Sequence, residues 1–258
     1  MSTTTVTWWG HSTVWLTDSG TTLLTDPLLT DRVAHLRRMA GATPVLPGAP
    51  DAVLLSHLHA DHFHCASLRS LAGAPLLIVP RGAGGFVRHT LGPGAARRCV
   101  ELAPGDETTV GGVRVRAVPA AHDGGRGPWS RERAIAIGFV VEGSARTWFA
   151  GDTGLFDEMT EMAPLDLALI PVGGWGPTLA AHGHLGPADA AEALRRVKAA
   201  WAVPVHYGTF WPVGLGRVRP HMFHEPGREF ARLAERAAPD SRVRVLAQGE
   251  SLAVGRPA

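Results

Sequence analysis

Leu54-Leu55-Ser56-His57-Leu58-His59-Ala60-Asp61-His62-Phe63-His64 is the stretch on which the fold turns. An apolar run, Ala52 to Leu55, drops abruptly into three histidines and an aspartate between positions 57 and 62. Runs of this kind read as buried strands. Neutral imidazole nitrogen and carboxylate oxygen are ligands for a borderline cation such as zinc, at roughly 2.0 to 2.2 Å. Residues two apart in an extended segment point the same way, so His57 and His59 can grip one ion together. Asp61 and His62 fall where the chain turns into a helix expected over 63–71. They leave the backbone in another direction and are placed to hold a second ion.

His-x-His-x-Asp-His without gaps resembles the signature of the metallo-β-lactamase superfamily. Working outward, Trp8-Trp9-Gly10-His11-Ser12-Thr13-Val14 and Leu23-Leu24-Thr25-Asp26-Pro27 look like the opening of the same superfamily. The similarity is to the branch that contains N-acylphosphatidylethanolamine-hydrolysing phospholipase D and ascorbate 6-phosphate lactonase. It implies an α/β fold, a four-layer αββα sandwich of the metallo-β-lactamase type, in one domain over 1–258. It also implies that His11 and Asp26 lie under the metal site as supporting groups. Asp26 either accepts the free N–H of a ligand histidine or merely starts the Asp-Pro turn.

Further donors stand at the ends of later strands. The expected strand over 113–118 runs out through Pro119-Ala120-Ala121 to His122, which would complete a three-histidine site with His57 and His59. The strand over 202–205 delivers His206 beside Asp61 and His62. By resemblance, Asp152 in Gly151-Asp152-Thr153-Gly154 bridges the two ions. The metal set is therefore His57, His59, Asp61, His62, His122, Asp152 and His206, holding two divalent ions. Zinc comes first, with manganese or iron also compatible. Two cations sharing a water lower its pKa from 15.7 toward about 7, and Asp61 would orient the resulting hydroxide. The run from His184 to Ala191 is similar to a segment of this branch that places a histidine over the metal pair. There His184 would protonate a leaving group or hold an oxyanion; the other reading is a histidine at the start of a helix, facing solvent. His182 matches nothing.

The activity implied is a metal-dependent hydrolase cutting a phosphodiester or a lactone or ester bond of a small molecule. An iron-containing redox enzyme of the same fold is the alternative. Arg126, Arg131, Arg217 and Arg219 favour an anionic substrate. The segment 123–133 reads as a flexible insert, 28–50 as an irregular border of the site with Arg32, Arg37 and Arg38 on a solvated face, and 208–225 as a long loop.

Composition sets the outer bounds. The chain has 258 residues, 45% hydrophobic and 19% charged, with 25 basic against 23 acidic residues. That balance, with no basic run, excludes a dedicated nucleic-acid surface. The two cysteines form no framework, as in a reducing compartment. Met1 to Leu16 is not expected to act as a cleavable leader, and no apolar run of roughly 18 residues appears in the sequence. The expectation is a cytoplasmic protein without a membrane span; surface docking and a homo-oligomer are both compatible with it.

Overall fold

The computed structural model describes residues 3–127, 129–174, 183–214 and 221–255. The chain opens with β1 (Thr4–Trp8), β2 (Val14–Asp18) and β3 (Thr21–Thr25), followed by the short β4 (Arg32–Val33) and β5 (Leu36–Arg38). Then come β6 (Ala52–Leu54), helix α1 (Cys65–Ser70), β7 (Leu76–Pro80), α2 (Gly84–Leu91), α3 (Pro93–Ala96) and β8 (Cys99–Leu102). The second half runs β9 (Glu107–Val110), β10 (Val113–Pro119), β11 (Ile137–Glu142), β12 (Arg146–Phe149) and, after a 3-10 turn at Asp157–Met162, β13 (Leu165–Pro171). It continues with α4 (Pro187–Val197), β14 (Ala199–Val205), β15 (Phe210–Pro212), α5 (His221–His224), α6 (Pro226–Ala237), β16 (Arg242–Val243) and β17 (Ser251–Val254).

Among the described residues these strands form two seven-stranded sheets, ordered β17-β1-β2-β3-β6-β7-β8 and β16-β14-β13-β12-β11-β10-β9. Alternation along each strand assigns its two faces. Leu54 and Ile78 of the first sheet meet Leu169 and Val203 of the second in one buried cluster between the sheets. Their neighbours Val53, Leu77 and Val79 face outward, onto Phe63, Leu68, Phe86 and Val87 of the segment from the metal motif to α2. On the far side Ala168, Ile170 and Ala202 meet Leu194 and Val197 of α4 and Phe230 of α6. The layers are helix, sheet, sheet, helix, as the resemblance implies. Each such fully buried Leu, Ile, Val or Phe contributes about 1.5–3 kcal/mol.

Strand direction then fixes where the site lies. β1 and β3 both pair antiparallel with β2, and β3 runs parallel to β6. In the other sheet β10 and β12 both pair antiparallel with β11, and β12, β13 and β14 run parallel. The carboxyl ends of β1, β3 and β6 thus share one edge of their sheet, and those of β10, β12 and β14 one edge of theirs. His11, Asp26, His57, His122, Asp152 and His206 each follow one of these ends.

Four local expectations change. The segment 208–225 is not simply a long loop, because it carries β15 (Phe210–Pro212) and α5 (His221–His224). The helix expected over 187–199 stops at Val197 because Lys198 adopts a left-handed conformation (φ 48°), and Ala199 already belongs to β14. The segment 28–50 is not wholly irregular: β4 and β5 form a hairpin that β15 joins in a three-stranded sheet. Arg38 is not solvated. It is buried, its guanidinium donates to the carbonyls of Leu28 and Thr30 (2.9 and 3.3 Å), and it lies 4.7 Å from the Phe210 ring centre.

A buried carboxylate stitches the two sheets together away from the site. Asp18, at the end of β2, accepts from the Thr4 hydroxyl and from the amide and hydroxyl of Ser144 in the β11–β12 turn. Burial would raise its pKa, but these donors outweigh it and hold it below the usual carboxylate value. Replacing Asp18 by Ala leaves those donors unpaired, so a loss of about 1–3 kcal/mol is expected in urea denaturation. Because the folded-state value is depressed, this contribution is complete above the ordinary carboxylate pKa and fades as pH falls through the folded value. The gap between wild type and Asp18→Ala therefore narrows on acidification.

Candidate metal centre

β6 ends at Leu54, and the extended backbone carries His57 and His59 toward one point. His57 Nε2 and His59 Nδ1 are 2.9 Å apart, and His122 Nε2, arriving after β10, is 3.2 Å from the same His59 nitrogen. His122 Nδ1 faces the Gly183 carbonyl at 3.1 Å, which can only accept, so Nδ1 carries the proton and the Nε2 lone pair faces the cluster. Burial pushes His57 well below the ordinary imidazole pKa and His122 to about 4. These imidazoles are neutral donors at neutral pH.

A second cluster lies beside the first. His62 Nε2 is 3.2 Å from His206 Nε2 and 3.1 Å from Asp152 Oδ2, and His206 Nε2 is 3.3 Å from that oxygen. Asp61 Oδ2 stands 3.7 and 3.8 Å from the two histidines. Burial opposes charge on His62 and His206. Asp152 and Asp61 outweigh it, holding His62 well above the ordinary imidazole value and His206 at about 9. Burial would likewise raise both carboxyls. The cationic field of His62 does most to hold Asp61 well below the usual range, and that of His206 does most for Asp152.

The donor chemistry fits divalent ions. Four donors at 2.0–2.1 Å around a tetrahedral centre lie roughly 3.3 Å apart, close to the spacings within each cluster. In the first cluster one nitrogen of His59 faces two other imidazole nitrogens, an arrangement a shared cation satisfies better than a single proton. In the second, two imidazolium charges balance two carboxylates, the charge a divalent ion would bring. Asp152 Oδ2 faces the second cluster, while its Oδ1 is buried with no hydrogen-bond partner among the described residues. An orphaned carboxylate oxygen at that position suits a bridging ligand. The structure thus brings all seven sequence-derived donors together, and His57/His59/His122 and Asp61/His62/His206 each lie within reach of a common ion.

The supporting groups are placed more sharply than the sequence reading allowed. Asp26 is fully buried and accepts from His62 Nδ1 (2.7 Å), the Ser56 amide (2.8 Å) and the Ser56 hydroxyl (2.5 Å). It is a histidine-orienting group and not just the start of a turn. His11 does not lie simply beneath the site: its Nε2 bonds Asp61 Oδ2 at 3.0 Å, and its ring lies tilted against that of His206, 4.1 Å between centres. His11, Asp26 and His206 all have positive φ (50°, 31° and 59°), a region L-residues enter at some strain, characteristic of functional positions. Gly151 has φ 62°, and a Cβ there would stand 2.6 Å from Ser56 Cβ, so only glycine lets β12 deliver Asp152 past the β6 end. His64, the last histidine of the motif, caps α1 by accepting from the Ser67 amide.

His184 comes into the site and does not face bulk solvent. Its Nε2 is 3.3 Å from Asp152 Oδ2, its ring centre is 4.7 Å from that of His122, and it lines the cavity in front of the donors. His182, Arg217 and Arg219 lie outside the described residues. Arg131 is exposed and not among the cavity-lining residues. Arg126 does line the cavity, but its Nη1 donates to the carbonyls of Leu58 (2.9 Å) and Phe63 (2.7 Å), with the guanidinium over Phe86. It clamps the two ends of the turn that carries His59, Asp61 and His62. The insert over 123–133 is therefore a brace for the motif, further tied by Leu58 N–H to Gly124 O at 3.1 Å. No spacing rule announces this, because the reach of one arginine decides it.

Comparison with known proteins gives a consistent picture. A family model described as beta-lactamase superfamily domain matches residues 21–207. An uncharacterized protein of Mycobacterium tuberculosis is 34% identical over 248 residues, covering 89% of this chain and 64% of its own length. The chain thus spans 64% of the length of that relative. A metal-dependent hydrolase of Thermus thermophilus is 33% identical, covering 79% of this chain and 84% of its own. An N-acyl-phosphatidylethanolamine-hydrolyzing phospholipase D of Caenorhabditis elegans is 29% identical, covering 81% and 64%. Among solved structures, a metallo hydrolase of Ignicoccus hospitalis superposes with TM-score 0.73 at 21% identity, over 97% of this chain and 98% of its own. Among the described residues, no helix is long and apolar enough to cross a membrane.

The clamp has a measurable consequence. Arg126→Met removes the donor for both carbonyls, and a loss of about 1–3 kcal/mol is expected in chemical denaturation. Arg126→Lys, with three donors on a point charge, should recover part of it. No change in either variant would remove the bracing role.

Proposed function

The chain belongs to the metallo-β-lactamase superfamily, and we propose that it is a dinuclear metal-dependent hydrolase cleaving a phosphodiester or a lactone or ester bond of a small molecule. The observation that carries this is the convergence of two donor clusters around the buried carboxylate of Asp152, whose Oδ1 has no hydrogen-bond partner among the described residues. The Thermus thermophilus relative, printed as a metal-dependent hydrolase, supports the same class. In this reading His57, His59 and His122 hold one ion, Asp61, His62 and His206 the other, and Asp152 both. The nitrogen and oxygen donors suit zinc first, and manganese or iron as well.

When bound, such ions supply Lewis acidity toward a carbonyl or phosphoryl oxygen and bring the pKa of water toward about 7. The chain's own residues then orient and move protons. His11 fixes Asp61 Oδ2, so the carboxylate presents a constant face to the cavity and orients the attacking water. His184 Nε2, at the cavity wall, is placed to protonate the departing oxygen. Asp26 holds His62 directly, and through the Ser56 hydroxyl it reaches His57 Nδ1 at 2.9 Å, fixing one histidine of each cluster.

Purified protein is expected to carry two ions per chain by elemental analysis, and to lose hydrolysis of p-nitrophenyl esters on treatment with a strong chelator. Added zinc or manganese should restore it. Hydrolysis that persists in ion-free protein overturns the reading. Asp26→Ala, which removes the acceptor behind His62, is expected to weaken metal affinity about 10–100-fold in a chelator-competition titration.

A further inference from the structure

The cavity in front of Asp61, Asp152, His184 and His206 has a volume of about 690 Å³, enough for a ligand well beyond the scissile group itself. Its roof is apolar. Val33 and Leu36 come from the β4–β5 hairpin, Phe210 and Trp211 from β15, and Met222 and Phe223 from α5. This roof is held in place: Arg38 lies over Phe210, the Trp211 and Phe223 rings meet edge to face at 5.5 Å, and β15 pairs with β5 from Phe210 to Pro212. A fixed apolar wall favours an apolar group and penalises a charged one, whose water it strips without replacing it.

Among the described residues, the cavity lining holds one arginine and no lysine, and its other basic side chains are histidines, most of them at the metal clusters. The chain's one lysine, Lys198, ends α4 and is not among the cavity-lining residues. Arg126, the single arginine lining the cavity among the described residues, commits Nη1 to two carbonyls. Phosphoryl-transfer sites commonly add arginine or lysine to their metal ions on the oxygens that gather charge, and here the described roof offers such an oxygen mainly apolar surface. Resting on the hydrolase reading above, we infer that the substrate is an uncharged carboxylic ester or lactone whose apolar acyl or aryl body sits against this roof. Hydrolysis adds one water across the acyl C–O bond. Its oxygen joins the carbonyl carbon, the alkoxide leaves with a proton, and the acid releases its own.

The test compares metal-loaded protein on p-nitrophenyl acetate, p-nitrophenyl octanoate and bis-p-nitrophenyl phosphate, with calorimetric binding of the non-hydrolysed N-methyloctanamide. The expected result is kcat/KM for octanoate about tenfold or more above acetate, from the extra buried methylenes. The phosphodiester should be the poorest of the three, and the amide should bind. Leu36→Asp, checked for folding by thermal denaturation, should lose most of the octanoate preference and weaken amide binding; Met222→Ala gives a milder form of the same change if the first variant does not fold. Equal rates on acetate and octanoate without amide binding, or a preference for the phosphodiester, overturn the inference and leave the hydrolase reading standing. Amide binding by protein that hydrolyses none of the three supports the apolar seat and overturns the hydrolase reading instead.

Discussion

A single buried carboxylate organises the site. Asp26 has no solvent exposure, and each of its oxygens is engaged: Oδ1 by the Ser56 amide, Oδ2 by the Ser56 hydroxyl and by His62 Nδ1. Ser56 in turn touches His57 Nδ1. One side chain at the end of β3 therefore sets the rotation of a histidine in each donor cluster, by forcing their outer nitrogens toward it and their inner nitrogens toward the centre. An unpaired carboxylate at that depth would be strongly destabilising, so the arrangement is all or nothing. The same demand explains why Asp26 tolerates a left-handed backbone: the hydrogen bonds over-determine its position.

Around that node the charges sort by neighbourhood and not by residue type. His57 and His122 are low in pKa because burial dominates, whereas His62 and His206 are high because Asp61 and Asp152 lie within a few ångströms. Chemically identical side chains a few ångströms apart are thus pushed in opposite directions by their surroundings. The topology makes this economical, since three strand ends from each sheet deliver one polar residue apiece to a common edge.

How much of this was legible in the sequence follows from how far each interaction reaches. His57, His59, Asp61 and His62 sit within six residues of one another, and His122, Asp152 and His206 each follow an apolar strand, so pattern and resemblance together were enough to find them. The layered sandwich came with the same resemblance. The β4–β5 hairpin escaped notice because its strands are two and three residues long, too short for periodicity, and because its stabilising partner, β15, lies far along the chain. Arg38 and Arg126 were read as surface or substrate-facing groups, yet each is consumed by backbone carbonyls of its own fold. Long side chains with several donors are poorly predicted by position, since their tips act several ångströms from the residue that carries them. The bond from His11 to Asp61 joins segments fifty positions apart and leaves no local trace.

The roof and the floor of the cavity belong to separate parts of the polypeptide. The floor is anchored in the ends of the long sheets, while the roof is a minor sheet with α5 beside it, sharing no strand with either large one. The two meet at Phe210, whose ring lies edge-on to His11 at 5.7 Å, so the hairpin positions Val33 and Leu36 can be retailored more freely than β15. A scaffold divided in this way is well suited to diversification, with new recognition arising from a few roof positions while the reacting machinery is inherited intact.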